Sequence, residues 1–133
     1  MKIEESVVIR RPPEDVYDLV ADLRRAPEWQ SSLERVDVER GVEIRTFAGH
    51  QQEAKFEVTE AVRPSRFGID SQAGPIRAHA VFTFTPDGDG TRVDFRLDLE
   101  AGGAARLAAA LMHGRVAREA RQNLQRLKEL LEA

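Results

Sequence analysis

Histidine is the side chain best suited to moving protons near neutral pH, and of the three in this chain only His113 falls on an apolar helical face. A neutral imidazole there can hydrogen-bond a guest's carbonyl or hydroxyl, or act as a general acid or base. No carboxylate is spaced to orient it, so a second reading stands beside the first: a core histidine satisfied by a backbone group or another side chain. His79 shares its parity with Arg77 and Thr83 on a wet strand face and His50 sits in a loop, so the three do not assemble a metal site. The absence of cysteine removes disulfides, thiolate nucleophiles and cysteine-ligated metals. The chain has no HExxH, no phosphate-binding loop, no GxGxxG and no nucleophile elbow. Asp87-Gly88-Asp89-Gly90 lacks the later ligands and terminal glutamate of a calcium loop and reads as a hairpin turn. No cofactor is implied.

The elements that must position any such chemistry are mainly strands. Ala54, Phe56 and Val58 alternate with Lys55 and Glu57, and Val93, Phe95, Leu97 and Leu99 alternate with Asp94, Arg96 and Asp98, so each strand keeps one dry face and one wet face. Short turns at Ala48-Gly49-His50, Arg63-Pro64-Ser65, Ala73-Gly74-Pro75 and Pro86 to Gly90 imply an antiparallel meander, since parallel strands need helical crossovers. A three-residue loop at Ala48 to His50 sets Ile44 against Ala54, Val42 against Phe56 and Thr46 against Gln52. A two-residue loop would instead set Glu43 against Ala54 and Arg45 against Gln52 and bury charge, so the first register is expected. The same logic opposes Phe67, Ile69 and Ser71 to Ala80, Ala78 and Ile76, and Phe82 and Phe84 to Phe95 and Val93. The expected inner face is apolar and aromatic, with Phe56, Phe67, Phe82, Phe84 and Phe95 as walls. Thr46, Gln52 and Ser71 are its polar members and the candidate ligand contacts.

Helical signals flank the strands. Pro12 and Pro13 fit the first turn of a helix, Glu14 and Asp15 favour the positive end of its dipole, and Val16, Leu19, Val20 and Leu23 make an apolar stripe. Pro27 opens a second short helix holding Trp29, which is either a cavity wall or a packing anchor. From Ala104 to about Leu131 the chain reads as one helix of about 40 Å, introduced by Gly102-Gly103. Its sheet-facing side carries Ala109, His113, Val116, Ala117, Ala120, Leu124, Leu127 and Leu131. The small residues of its first half, Ala117 and Ala120 among them, leave room for a ligand. Gly114 either costs the helix about 1 kcal/mol for no functional return or lets it bend or approach the sheet. Leu107 and Leu111 point to the opposite side, so they are either covered by the rest of the fold or form an exposed patch, such as a homodimer contact.

With 133 residues, 41% hydrophobic and 32% charged, the chain is expected to form one soluble domain over residues 1–133. A net charge of −3 argues against a general nucleic-acid footprint. No apolar run reaches the roughly 18 residues that span a bilayer, so no stable membrane insertion is expected, and a cytoplasmic location is the default.

The order strand (Ile3, Val7, Val8, Ile9), Arg10 to Asp15, helix, Asp22, Pro27-Glu28-Trp29 resembles the opening of the START-like (SRPBCC) superfamily. This superfamily includes polyketide cyclases, lipid-transfer domains and birch-allergen-like proteins. Val58-Thr59-Glu60 to Pro64-Ser65-Arg66-Phe67 and Gly90-Thr91-Arg92-Val93 extend the likeness along the chain, whereas the passage between the second and third strands is reduced to Arg40-Gly41. The resemblance implies an α+β helix-grip fold: a curved antiparallel sheet of about six to seven strands, two short N-terminal helices and a long C-terminal helix over a cavity. It implies a small hydrophobic molecule, lipid or polyketide-like, as partner. Three functions follow in order: a binding or carrier protein, a cyclase or dehydratase with His113 moving protons, and a protein-interaction module.

Overall fold

The computed structural model describes residues 1–47 and 49–133. Seven strands form one antiparallel sheet: β1 (Lys2–Ile9), β2 (Leu33–Asp37), β3 (Val42–Phe47), β4 (His50–Val62), β5 (Arg66–Ala73), β6 (Ile76–Asp87) and β7 (Gly90–Ala101), in the order β1-β7-β6-β5-β4-β3-β2. Strands β2 to β7 pair with their sequence neighbours, as short turns dictate. Only β1 lies at the far edge, beside β7. The chain therefore has to cross from one edge of the sheet to the other between β1 and β2. It does so through α1 (Pro13–Ala21) and a 3-10 helix (Leu23–Glu28), whose apolar sides cover one end of the inner face. Pro27 sits inside the 3-10 helix rather than opening it, and Trp29 is the residue that ends it.

The core lies where these helices meet the sheet. Ile9, Val16, Val20, Trp29, Phe82, Phe84, Val93, Leu124 and Leu127 are buried there. Tyr17, which the apolar stripe of α1 did not single out, stands edge-on to Phe67 and Phe84 with centroids 6.2 and 5.7 Å away. Phe82 joins Trp29 at 5.9 Å and Phe95 at 4.8 Å. The expected pairing of Phe82 with Phe95 and of Phe84 with Val93 holds. Between β5 and β6 the faces are as expected but the register is displaced: Phe67 pairs with Phe82, Ile69 with Ala80 and Ser71 with Ala78, because Ala73 and Ile76 close directly on a two-residue Gly74-Pro75 turn. Gly74 takes φ 56°, which that tight turn requires.

The β3–β4 register differs more consequentially. Phe47 pairs with His50, so the connection is two residues long, Ala48 itself lying outside the described residues. Glu43 stands opposite Ala54, Arg45 opposite Gln52 and Thr46 opposite Gln51. This is the register disfavoured on grounds of buried charge. The charge is indeed buried, but it is paired, as described below.

The closing helix is also not continuous. It divides at Met112 into α2 (Ala104–Leu111) and α3 (His113–Glu132). The two halves have different partners: α3 runs along β1, whereas α2 packs on β7. Polar tethers gather in the C-terminal half of α3. Asn123 Oδ1 accepts from the Ser31 backbone N–H, Arg126 Nε donates to the Glu28 carbonyl, and Lys128 Nζ donates to the Val8 carbonyl.

Gly90 marks a point where the β1–β7 edge has no room for a side chain, since a Cβ there would lie 2.5 Å from the Ile9 carbonyl oxygen. Gly90→Ala should therefore destabilise the protein by about 1–3 kcal/mol, measured by urea denaturation. An unchanged midpoint would show that the edge yields freely.

Candidate ligand-binding site

Coverage of the inner face is uneven, and this unevenness creates the site. At the end under α1 and the 3-10 helix, Phe67, Phe82, Phe84 and Val93 are buried. Towards the other end Phe56, Ile69, Ser71, Ala78, Ala80, Phe95, Leu97 and Leu99 are only half-buried, and Val58 is 40% exposed. The α3 face above carries Leu124, Leu127 and Leu131, all buried, in its second half but Val116 and Ala117, half-buried, in its first. Alanine reaches too short a distance to close the gap. This incompletely covered stretch of half-buried apolar side chains, the trough, is the candidate site. A depression of about 880 Å³ lies on the outer face of the sheet, between the rows Lys55, Gln72, Arg77, Glu100 and Glu57, Asp70, His79, Asp98, and is not the trough. A second, of about 750 Å³, has Glu4, Arg66, His79, Arg92 and Asp98 in its lining. Its charged walls suit an apolar guest poorly.

The polar wall is built from Glu43 and Arg45, two residues apart on β3 and therefore on the same face. Arg45 Nε donates to Glu43 Oε1 at 2.9 Å, Nη1 to Ser32 Oγ at 3.0 Å and Nη2 to Gln30 Oε1 at 2.8 Å. The Glu43 side chain is 7% exposed and that of Arg45 33%. A carboxylate withdrawn this far needs a charge partner and several hydrogen bonds, and both are present. Sequence reasoning missed this cluster because it treated buried charge as a reason to reject the register. The signal was the i, i+2 spacing of opposite charges on one strand.

The predicted site residues fall into three groups. Phe67, Phe82 and Phe84 line the closed core, Phe56, Ser71, Phe95 and Ala117 border the trough, and Ala120 is buried on the covering face of α3, 7% exposed. Trp29 is a packing anchor, 2% exposed, and its indole N–H has no hydrogen-bond partner among the described residues. Gln52 is exposed opposite Arg45. Thr46 is corrected: it lies on the other face of β3, where its hydroxyl donates to Glu34 Oε1 and Gln51 Nε2 donates to Glu34 Oε2. Those two donors hold the Glu34 carboxyl below its ordinary pKa. His113 is corrected as well. It is exposed at the start of α3, with Nε2 3.2 Å from the Lys2 carbonyl oxygen, because the break at Met112 turns this end of the helix to the β1 edge. His79 pairs with Asp70 on the outer face. Leu107 and Leu111 form the exposed patch, not a covered surface.

A long helix gripping a curved antiparallel sheet over an apolar inner face defines a helix-grip protein of the START-like class. The chain belongs to the polyketide cyclase/dehydrase and lipid transport family, whose sequence profile matches residues 1–132. Among solved structures it is similar to a START superfamily protein of Mycobacterium smegmatis (15% identity, 98% of this chain and 97% of that one, TM-score 0.77). It is similar also to TTHA0849 of Thermus thermophilus (23% identity, 97% and 95%, TM-score 0.76). The di-domain ARO/CYC BexL from the BE-7585A biosynthetic pathway matches at 22% identity and TM-score 0.74, with 99% of this chain covering 46% of that one. At these identities the likeness is one of fold. No curated protein matches the chain in sequence. No helix is long and apolar enough to cross a membrane among the described residues.

The Glu43–Arg45 pair gives a direct test of how that wall is held. Arg45→Met strands a buried carboxylate and should lower stability by about 2 kcal/mol, less than the roughly 3–5 of a fully buried pair because Arg45 is partly solvated. The double variant Glu43→Met/Arg45→Met should regain most of that loss in urea denaturation. A double variant as weak as the single one would mean that the hydrogen bonds to Gln30 and Ser32, not charge pairing, hold the wall.

Proposed function

We propose that the chain binds and carries a small, largely apolar molecule in the trough, with a neutral oxygen-bearing group at the guest's polar end held near Arg45. The supporting observation is the row of half-buried apolar residues on the inner face, Phe56 to Leu99, beside a charge pair whose net charge is zero. Apolar surface left half in water gains roughly 25 cal/mol per Å² when a guest covers it. Because Glu43 already neutralises Arg45, a free carboxylate on the guest would face repulsion from Glu43, whereas a carbonyl or phenol oxygen would not.

The same pair favours a second reading, a cyclase or dehydratase acting in the same trough. A guanidinium beside a carboxylate can hold a carbonyl while its enol form develops, and a shaped cavity supplies the rest by orientation. His113 enters neither reading, since its imidazole is exposed and occupied by a backbone carbonyl.

Titration with an environment-sensitive apolar fluorophore tests the carrier reading. Ala117→Phe should weaken binding by about tenfold with an unchanged melting temperature, and His113→Ala should leave it unaltered. Equal affinity in wild type and Ala117→Phe would remove the guest from the trough. A tenfold loss in His113→Ala would return that residue to the site. Native mass spectrometry of the purified protein, with identification of any released molecule, then decides whether the guest leaves changed.

A further inference from the structure

The eight-residue helix α2 is oriented contrary to the usual rule for a helix on a protein surface. At 100° per residue Leu107 and Leu111 share one side, and Ala105 and Ala109 lie about 160° away from them. The alanines are half-buried, whereas Leu107 is 67% and Leu111 79% exposed. No residue of α2 is buried. An amphipathic helix normally turns its larger apolar side chains to the core. Here they face water, on a helix that follows directly from the end of β7, where Leu97 and Leu99 border the trough.

Charge indicates what covers them. From Ala101 to Arg118 the chain carries Arg106, Arg115 and Arg118 and no acidic residue, in a protein of net charge −3. We propose that the leucine face of α2 docks on an anionic lipid surface, with Leu107 and Leu111 entering the interface and the exposed Arg106 and Arg118 drawn to lipid phosphates. Basic residues flanking an exposed apolar face are the pattern of reversible interfacial attachment, and attachment through two leucines is weak enough to reverse. A second copy of the chain fits less well. A helix of about 12 Å presenting two leucines falls far short of the ~800 Å² per partner of a standard interface, and a two-fold contact would bring the arginines of both copies together. The inference does not depend on what the trough holds.

Co-sedimentation of the full chain with vesicles tests it, using phosphatidylcholine alone and phosphatidylcholine mixed equally with phosphatidylglycerol. The protein should bind the mixed vesicles, bind phosphatidylcholine vesicles weakly, and lose affinity as salt rises. Leu107→Glu/Leu111→Glu should reduce binding to the mixed vesicles by about tenfold or more. The circular dichroism melt should be unchanged, because neither side chain is packed, and so should binding of the apolar fluorophore in solution. No binding to anionic vesicles, or binding equal in the double variant, would overturn the proposal. So would a dimer in light scattering that the double variant dissolves, since a second copy would then be the occupant.

Discussion

Leu124, Leu127 and Leu131 hold the closing helix against the aromatic cluster, and the rest of the molecule depends on that contact. Each is almost fully buried, a contribution of about 1.5–3 kcal/mol per side chain. Because all three lie in the second half of α3, the apolar anchoring of the helix is concentrated at one end, while its first half is held by polar contacts from Glu119 to Ser31 and from Arg121 to Glu5. Its polar tethers to Ser31, Glu28 and Val8 reinforce the same end. Towards its start Val116 and Ala117 reach the protein only partly, and beyond Met112 the chain continues as a separate helix on β7. One sheet face is thereby divided between a dry core and an open trough.

Phe82 and Phe95 mark the division. Phe82 is buried and touches Trp29, while Phe95, its ring tilted by 40° with centroids 4.8 Å apart and paired with it across β6 and β7, is half-buried. Opposite, Glu43 and Arg45 place opposite charges on an otherwise apolar face without giving it net charge. Such a pair contributes little to folding stability compared with well-packed apolar residues, and its hydrogen bonds to Gln30 and Ser32 tie β3 to the segment before β2.

Much of this was legible in the residues. Period-2 alternation assigned faces correctly from Ala54 to Leu99, and the proline pair with its acidic first turn placed α1. The hairpin at Asp87 to Gly90 closed as its turn residues indicate, with Gly88 at φ 60°. The contrast between small residues and leucines on the closing helix matches the half-buried Val116 and Ala117 and the buried Leu124, Leu127 and Leu131 of α3. The exposure of His113 did not follow, because a helical wheel drawn through Met112 assumes one axis where there are two, whereas exposure of Leu107 with Leu111 was one of the two readings their side of the helix allowed.

The sequence by itself determined which residues share a strand face and which helix turns can pack, since these depend on local periodicity and on side-chain volume. Tertiary structure alone decided the β3–β4 register, the break at Met112 and the pairing of Glu43 with Arg45, Gln30 and Ser32. A register is a competition between two pairings of the same strands. The winner was set by hydrogen bonds from Arg45 to Gln30 and Ser32, residues in the segment before β2, which no rule about neighbouring positions on two strands can include.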